Sequence, residues 1–196
     1  MILAQVLALL SLVLAQQLDV MIDAVEIDKV AAEQAAENIA ASPWKKKINI
    51  IHGDINDLAI TFPHKYDIII SNPPFYENEL TSPANKKNIA HHDSGLILAD
   101  LLTIIAAGLL MDGKFYLLLP YKRHEEINQL FDQEKITITK KIFVRPSENH
   151  GYSRFMIEAH LGKPAATITD EIATRNKKNE YTEVFTELLK DYYLYM

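Results

Sequence analysis

The segment of the sequence most suited to chemistry is Asn72, Pro73, Pro74 and Phe75, directly after the apolar run 66–71. An exocyclic amine on an aromatic ring is a poor nucleophile. An Asn side-chain oxygen and a backbone carbonyl can accept hydrogen bonds from its two N–H groups. These bonds draw the amine towards pyramidal geometry and leave its lone pair facing the group to be transferred. The first proline stiffens such a loop, and the aromatic ring offers a face for a flipped base. We therefore predict a catalytic loop that acts on the amino group of a base. The alternative is a simple turn that ends a strand.

Two acidic residues end the apolar runs that precede this loop. Glu26 closes the run 20–26, and Asp54 follows the run 48–52. A carboxylate at the end of the first strand can accept both hydrogen bonds of a ribose diol, and the second can accept from an adenine amino group. Each residue alone also fits an ordinary turn. Together with Asn72, they predict a nucleotide cofactor site at the ends of three consecutive strands.

The elements that must position these residues are short apolar strands alternating with helical stretches, which indicates a mostly parallel α/β sheet. Ligands in such sheets bind beyond the carboxyl ends of the strands. A final pair of apolar runs joined by a polar loop predicts an antiparallel pair at the sheet edge. The expected strands are 20–26, 48–52, 66–71, 114–119, 136–144 and 155–161, and the expected helices are 29–41, 96–110, 121–131 and 182–193.

Composition places the chain among single-domain globular proteins. It has 196 residues, 48% of them hydrophobic, and no cysteine, which excludes disulfides, zinc-thiolate sites and cysteine nucleophiles. A net charge of -6 argues against a protein that coats nucleic acid non-specifically. The apolar run 2–15 lacks a preceding basic residue and is too short to span a bilayer, so we expect a buried helix rather than a secretory signal. A cytoplasmic location is expected.

Longer stretches of the sequence resemble one family. They are Met-Ile-Asp-Ala-Val-Glu at 21–26, Ser-Pro-Trp at 42–44, the run from Tyr66 to Phe75, and the aromatic ending 192–196. From about Leu9 to the last residue, the chain resembles the bacterial tRNA1(Val) (adenine-37-N6)-methyltransferases. The Asn-Pro-Pro-Phe motif alone is less specific. It also occurs in rRNA guanine-N2 methyltransferases and, with Tyr, in DNA and release-factor methyltransferases.

This resemblance implies a Rossmann-like methyltransferase fold that uses S-adenosylmethionine (SAM). It implies that adenine 37 of a valine tRNA is methylated on N6, with Asn72 to Phe75 around the target base. Methylation of rRNA guanine or of a protein glutamine amide stays open as an alternative. The residues expected to bind SAM are Glu26, Ile27, Asp54, Ile55 and Asn72.

The beginning of the chain departs from the family pattern. The glycine-rich loop Asp-Ile-Gly-x-Gly-x-Gly is missing, because Met1–Ala8 contain no glycine. Glycines there let backbone N–H groups approach the cofactor. We expect one domain over 1–196 whose first strand and glycine loop are lacking and whose residues 1–8 are aberrant. Codons for residues 2–8 exist that read Asp-Ile-Gly-Thr-Gly-Thr-Gly in the neighbouring frame, which suggests a frameshift. An inactive remnant of the family is therefore a further hypothesis.

Basic side chains after the catalytic loop are candidates for contacts with tRNA. Lys86, Lys87 and His91 follow the predicted catalytic strand and could contact phosphates, although a solvated loop explains them equally well. Arg145 and Arg154 flank the loop between the last two predicted strands and are weaker candidates of the same kind.

No metal site is predicted. The His-His-Asp sequence at 91–93 places adjacent side chains in different directions, and no third ligand at a diagnostic spacing accompanies it. We expect a monomer with tRNA as its partner and no membrane contact.

Overall fold

The protein is an α/β domain in a computed structural model, which describes residues 1–4, 7–58, 63–73, 98–162 and 165–192. Its strands are β1 (Ile2–Ala4), β2 (Ile22–Glu26), β3 (Ile48–His52), β4 (Tyr66–Asn72), β5 (Leu109–Pro120), β6 (Ile136–Arg145), β7 (Arg154–Leu161) and β8 (Ile168–Ala173). Its helices are α1 (Leu7–Gln17), α2 (Lys29–Ala40), α3 (Ile55–Leu58), α4 (Leu98–Gly108), α5 (His124–Gln133) and α6 (Glu183–Leu189).

The strands of the described residues form one eight-stranded sheet in the order β3-β2-β1-β4-β5-β7-β6-β8. β7 is antiparallel to both β5 and β6, and the other neighbouring pairs are parallel. The predicted α/β class with a mostly parallel sheet and an antiparallel pair is confirmed. The pair is not at the edge, however, because β8 adds to β6 as a further parallel strand.

The sequence-based expectation that the first strand is lacking needs correction. Ile2–Ala4 occupies the central position between β2 and β4 and pairs with both. An apolar segment suits this place because both faces of a central parallel strand are covered, and Ile2 is only 2% exposed. The predicted helix over 2–15 is correspondingly shorter at its start, since α1 covers Leu7–Gln17. None of the helices in the described segments is long and apolar enough to cross a membrane.

The boundary between α4 and β5 also differs from the expectation. A helix over 96–110 was predicted, whereas α4 ends at Gly108 and β5 begins at once with Leu109. Leu109 is 2% exposed, and a Cβ at Gly113 would lie 2.7 Å from its Cγ atom. Gly113 therefore makes room for a buried leucine at the start of the strand.

Two elements near the end of the chain were difficult to predict. β8 was missed, because four of its six residues are exposed and its sequence does not alternate between polar and apolar residues. α6 is shorter than the predicted helix 182–193. It begins after Thr182, whose side chain accepts the backbone N–H of Phe185 at 3.2 Å, and it ends at Leu189.

Apolar side chains cover both faces of the sheet. Successive residues of a strand point to opposite faces, so Ile22 and Ala24 of β2 join one cluster and Val25 joins the other. The cluster beside α2 contains Ile2, Ala15, Ile22, Ala24, Ile39 and Ile48. The larger cluster beside α4 and α5 includes Ile69, Leu101, Ile105, Phe115, Leu117, Leu119, Ile127, Phe131, Phe155 and Ile157.

A polar network on β7 ties together the strands beyond β4. The Glu158 carboxylate accepts hydrogen bonds from Lys114 Nζ at 2.9 Å and Tyr116 Oη at 2.8 Å, both on β5. It also accepts one from Thr139 Oγ1 on β6 at 2.8 Å. The bonds from Lys114, Thr139 and Tyr116 lower the pKa of Glu158 to about 2. Burial and the bond to Glu158 raise the pKa of Tyr116 to about 12.

The low pKa of Glu158 predicts acid-sensitive stability. Its ionised form stabilises the fold above the ordinary pKa of 4.5, and this contribution is lost as pH falls towards about 2. We expect Glu158→Gln to lower the free energy of unfolding at pH 7 by about 1–2 kcal/mol, measured by urea denaturation. The difference from the parent should shrink as pH falls through this window. Glu134→Gln, an exposed residue after α5, is the control; a difference independent of pH would contradict the prediction.

Candidate active site

The register of the central strands brings the predicted site residues to one edge of the sheet. Leu3 pairs with Val25, and Ala4 pairs with Asn72. Glu26, the residue after Val25, therefore lies across from Ala4 on the other side. With neighbouring strands about 4.8 Å apart, the backbones of Glu26 and Asn72 are separated by about 10 Å. This spacing leaves room for a nucleoside across the carboxyl end of β1.

The turn between β2 and α2 is held by the backbone and by two carboxylates. Glu26 Oε1 accepts the backbone N–H of Asp28 at 3.0 Å. Asp28 caps α2 by accepting the N–H of Ala31 at 2.7 Å, a common way to satisfy the first donors of a helix. The Glu26 carbonyl oxygen accepts the N–H of Gly53 at 3.0 Å. Ile27 is 66% exposed between these groups, so an apolar side chain stands at the edge of the site.

Asp54 lies in the next turn, two residues beyond His52, which pairs with Glu26. Its Oδ1 atom accepts both the backbone N–H and the side-chain Nδ2–H of Asn56 at 2.8 Å. The next residue, Ile55, is partly buried and packs against the larger apolar cluster. The two carboxylates and the two isoleucines that the sequence predicted thus occupy adjacent turns.

Asn72 ends β4 between two buried residues, Ser71 and Pro73. Ser71 is 2% exposed, whereas Asn72 is exposed and its side chain has no hydrogen bond to another described residue. Buried residues therefore hold the backbone on both sides of Asn72, while its exposed amide makes no hydrogen bond to the described part of the chain. Pro74 and Phe75 lie outside the described residues.

Three candidates for contacts with tRNA lie in a part of the chain that the structure does not describe. Lys86, Lys87 and His91 all fall within 74–97, outside the described residues. Their expected contacts with tRNA phosphates stay a prediction.

The chemistry of these turns fits the nucleoside part of SAM. Glu26 and Asp54 each use one carboxylate oxygen within their own turn. Their other oxygens make no hydrogen bonds to described residues and suit the donors of a ribose diol and an adenine amino group. The link between β1 and α1 is Gln5–Val6, without glycine. The acceptors of the site fit the cofactor, and the glycine loop is the part that this sequence does not supply.

Comparisons with known proteins show the family of this chain. The family model of the methyltransferase small domain matches residues 6–105. The tRNA1(Val) (adenine(37)-N6)-methyltransferase of Parabacteroides distasonis is 32% identical over 96% of this chain and 79% of its own length. That of Dyadobacter fermentans is 35% identical over 95% of this chain and 78% of its own. The chain belongs to the tRNA1(Val) (adenine(37)-N6)-methyltransferase family. Its cofactor is SAM, as the sequence predicted.

Solved structures support the fold of this methyltransferase. A predicted O-methyltransferase from Agrobacterium tumefaciens superimposes with a TM-score of 0.64 at 14% identity, covering 86% of this chain and 76% of its own. The family model spans β2, β3 and β4, which end at Glu26, His52 and Asn72. The similarity to the whole relatives extends over β5 to α6 as well, so the second half of the sheet belongs to the methyltransferase too.

Sequence reasoning missed an aromatic group at the same edge of the methyltransferase sheet. Tyr121 follows β5 and stacks on His124 with ring centroids 5.6 Å apart. It also contacts Phe143 at 5.7 Å and Tyr152 at 5.1 Å, and Phe143 stacks on Tyr152 at 4.9 Å. A Pro-Tyr sequence at the end of an apolar strand was the available signal. The contacts between β5, β6 and the loop before β7 could not be predicted from the spacing of residues in the sequence, because they join segments that are distant along the chain.

Beneath this group, His124 and Lys141 form a closed polar contact. Lys141 Nζ lies 3.1 Å from His124 Nε2 and donates to Asn128 Oδ1 at 2.9 Å. Burial and the charge of Lys141 lower the pKa of His124, and burial lowers the pKa of Lys141. These contacts link His124 and Asn128 of α5 to Lys141 of β6 beside the aromatic group.

Proposed function

We propose that this chain transfers the methyl group of SAM to N6 of adenine 37 in a valine tRNA. The observation that carries the proposal is the position of Asn72 at the carboxyl end of β4, on the other side of β1 from Glu26. The names of the relatives give the substrate class. The proposal includes a cytoplasmic location and action as a monomer.

The loop after β4 prepares the amine for methylation. In the proposed role, the Asn72 side-chain oxygen and a backbone carbonyl of the same loop accept the two N–H bonds of the adenine amino group. The lone pair then points towards the cofactor side of the loop. Pro73 is buried and holds the backbone in place. The proposed role of Phe75, which like Pro74 lies outside the described residues, is to stack on the flipped base.

The turns after β2 and β3 hold the cofactor. Glu26 accepts hydrogen bonds from the hydroxyl groups of the ribose, and the exposed side chain of Ile27 covers the adenine ring. Asp54 accepts a hydrogen bond from the amino group of the cofactor's adenine, with Ile55 beside it. When bound, SAM supplies an activated methyl group. The protein therefore contributes mainly by orienting the amine and the methyl group relative to each other.

The direct test is methyl transfer from labelled SAM to defined substrates. We expect label in a valine tRNA transcript with adenine at position 37 and none in the same transcript with guanine there. An rRNA fragment and a glutamine peptide are assayed in parallel. Label that is independent of the base at position 37, or that enters rRNA guanine or the glutamine amide instead, would contradict the proposal.

Glu26→Gln should weaken SAM binding. The variant replaces a charged acceptor of two hydroxyl donors by a neutral amide, and hydrogen bonds to charged groups contribute about 1.5–3 kcal/mol. We expect the dissociation constant, measured by calorimetry, to rise by about tenfold or more. Glu37→Gln, on the exposed face of α2, removes the same charge and should bind SAM like the parent. Equal affinities of Glu26→Gln and the parent would remove Glu26 from the site.

Asn72→Ala should lower kcat. The loss of a positioned hydrogen-bonding group costs on the order of a hundredfold in rate at comparable sites. Single-turnover methylation at saturating SAM and tRNA measures the effect. Asn38→Ala, on the exposed part of α2, is the control. A variant at Asn72 that keeps the parent's rate would show that this amide does not act on the substrate amine.

A further inference from the structure

We propose that a basic rim beside Asn72 binds the tRNA strand that flanks the methylated base. The rim consists of the short 3-10 helix Tyr121–Arg123 after β5, the segment 145–154 between β6 and β7, and the segment 174–180 after β8. This inference rests on the proposed function and adds to it the surface that holds the substrate.

Sheet register places the rim beside the end of β4. Ser71 of β4 pairs with Leu117 of β5, which continues to Pro120 and there pairs with Arg154 of β7. At about 4.8 Å per strand, Arg154 is about 10 Å from β4 along the same edge. β6 and β8 extend this edge, where Arg145 pairs with Ala173.

Backbone and side-chain hydrogen bonds join the three segments into one surface. The N–H of Tyr121 donates to the carbonyl oxygen of Ser153 at 3.0 Å, and the N–H of Glu148 donates to the carbonyl oxygen of Arg175 at 2.9 Å. Thr174 Oγ1 donates to the carbonyl oxygen of Pro146. A strand laid across the rim would therefore meet a preformed surface, which reduces the entropy cost of binding.

Positive charge is concentrated on the rim. Its segments contain Lys122, Arg123, Arg145, Arg154, Arg175, Lys177 and Lys178 against Glu148 and Glu180, in a chain of net charge -6. The nearby acid Glu171 is bound by Arg145 at 3.1 Å, and Glu126 is bound by Arg123. Such a cluster of cations suits the phosphate groups of a nucleic acid, which it can bind whatever the nucleotide sequence.

Aromatic side chains on the rim favour RNA over an acidic protein as the occupant. Tyr121 and Tyr152 are partly exposed, and the Arg145 guanidinium lies 4.5 Å from the centroid of the Tyr152 ring. Nucleic-acid single strands bind surfaces that combine cations with aromatic faces, because bases stack while phosphates pair with the charges. An acidic peptide would pair with the charges but would make no use of the exposed parts of these rings.

A matched pair of charge reversals tests the rim. Lys177→Glu with Lys178→Glu changes the exposed cations after β8. Lys45→Glu with Lys46→Glu makes the same change before β3, at the opposite edge of the sheet. We expect the rim variant to weaken binding of the valine tRNA, measured by filter binding, by about tenfold or more. The slope of log K against log salt should also decrease by about 1 to 2. The control variant should bind tRNA like the parent.

SAM affinity of the same variants separates this inference from loss of folding. We expect both double variants to bind SAM like the parent, and Arg154→Ala to reproduce the loss of tRNA affinity on a smaller scale. Parental tRNA affinity in the rim variants would overturn the rim while leaving the proposed function intact. If the parent methylates rRNA or the glutamine peptide but does not bind valine tRNA, the proposed function fails and the rim falls with it.

Discussion

Parallel pairing of β1 with β2 and β4 is the interaction on which the site depends. It sets Glu26 and Asn72 on either side of Ala4, and it satisfies the backbone groups of both neighbours in the middle of the sheet. The strand has only three residues, so its few hydrogen bonds act together with burial of Ile2 to hold the alignment. Any loss of this pairing would separate Glu26 from Asn72.

The two halves of the sheet contribute different parts of the enzyme. β1 to β4 carry the turns with Glu26, Asp54 and Asn72, whose acceptors suit a nucleoside. β5 to β8 are joined through Glu158 and present aromatic and basic side chains at the same edge. Because one continuous sheet connects the halves, the proposed cofactor site on one side and the proposed RNA surface on the other meet at the end of β4.

Much of this arrangement could be predicted from the sequence. β3 and the position of Asn72 followed from apolar runs that end in polar residues, and the motifs indicated the family. Other features depended on contacts that spacing does not encode. Ile2–Ala4 reads as part of a helix until its place between two strands is known. The polar edge strand β8 lacks alternation, and the junction of Tyr121 with Tyr152 depends on how distant segments pack.

A calorimetric titration of SAM into this chain tests the central claim most directly. We predict saturable binding of one SAM per chain, because the acceptors at the ends of β2, β3 and β4 lie along one edge, although Met1–Ala8 contain no glycine. If the folded chain shows no binding of SAM, the pocket is not formed by these residues, and the proposed methyl transfer would be contradicted.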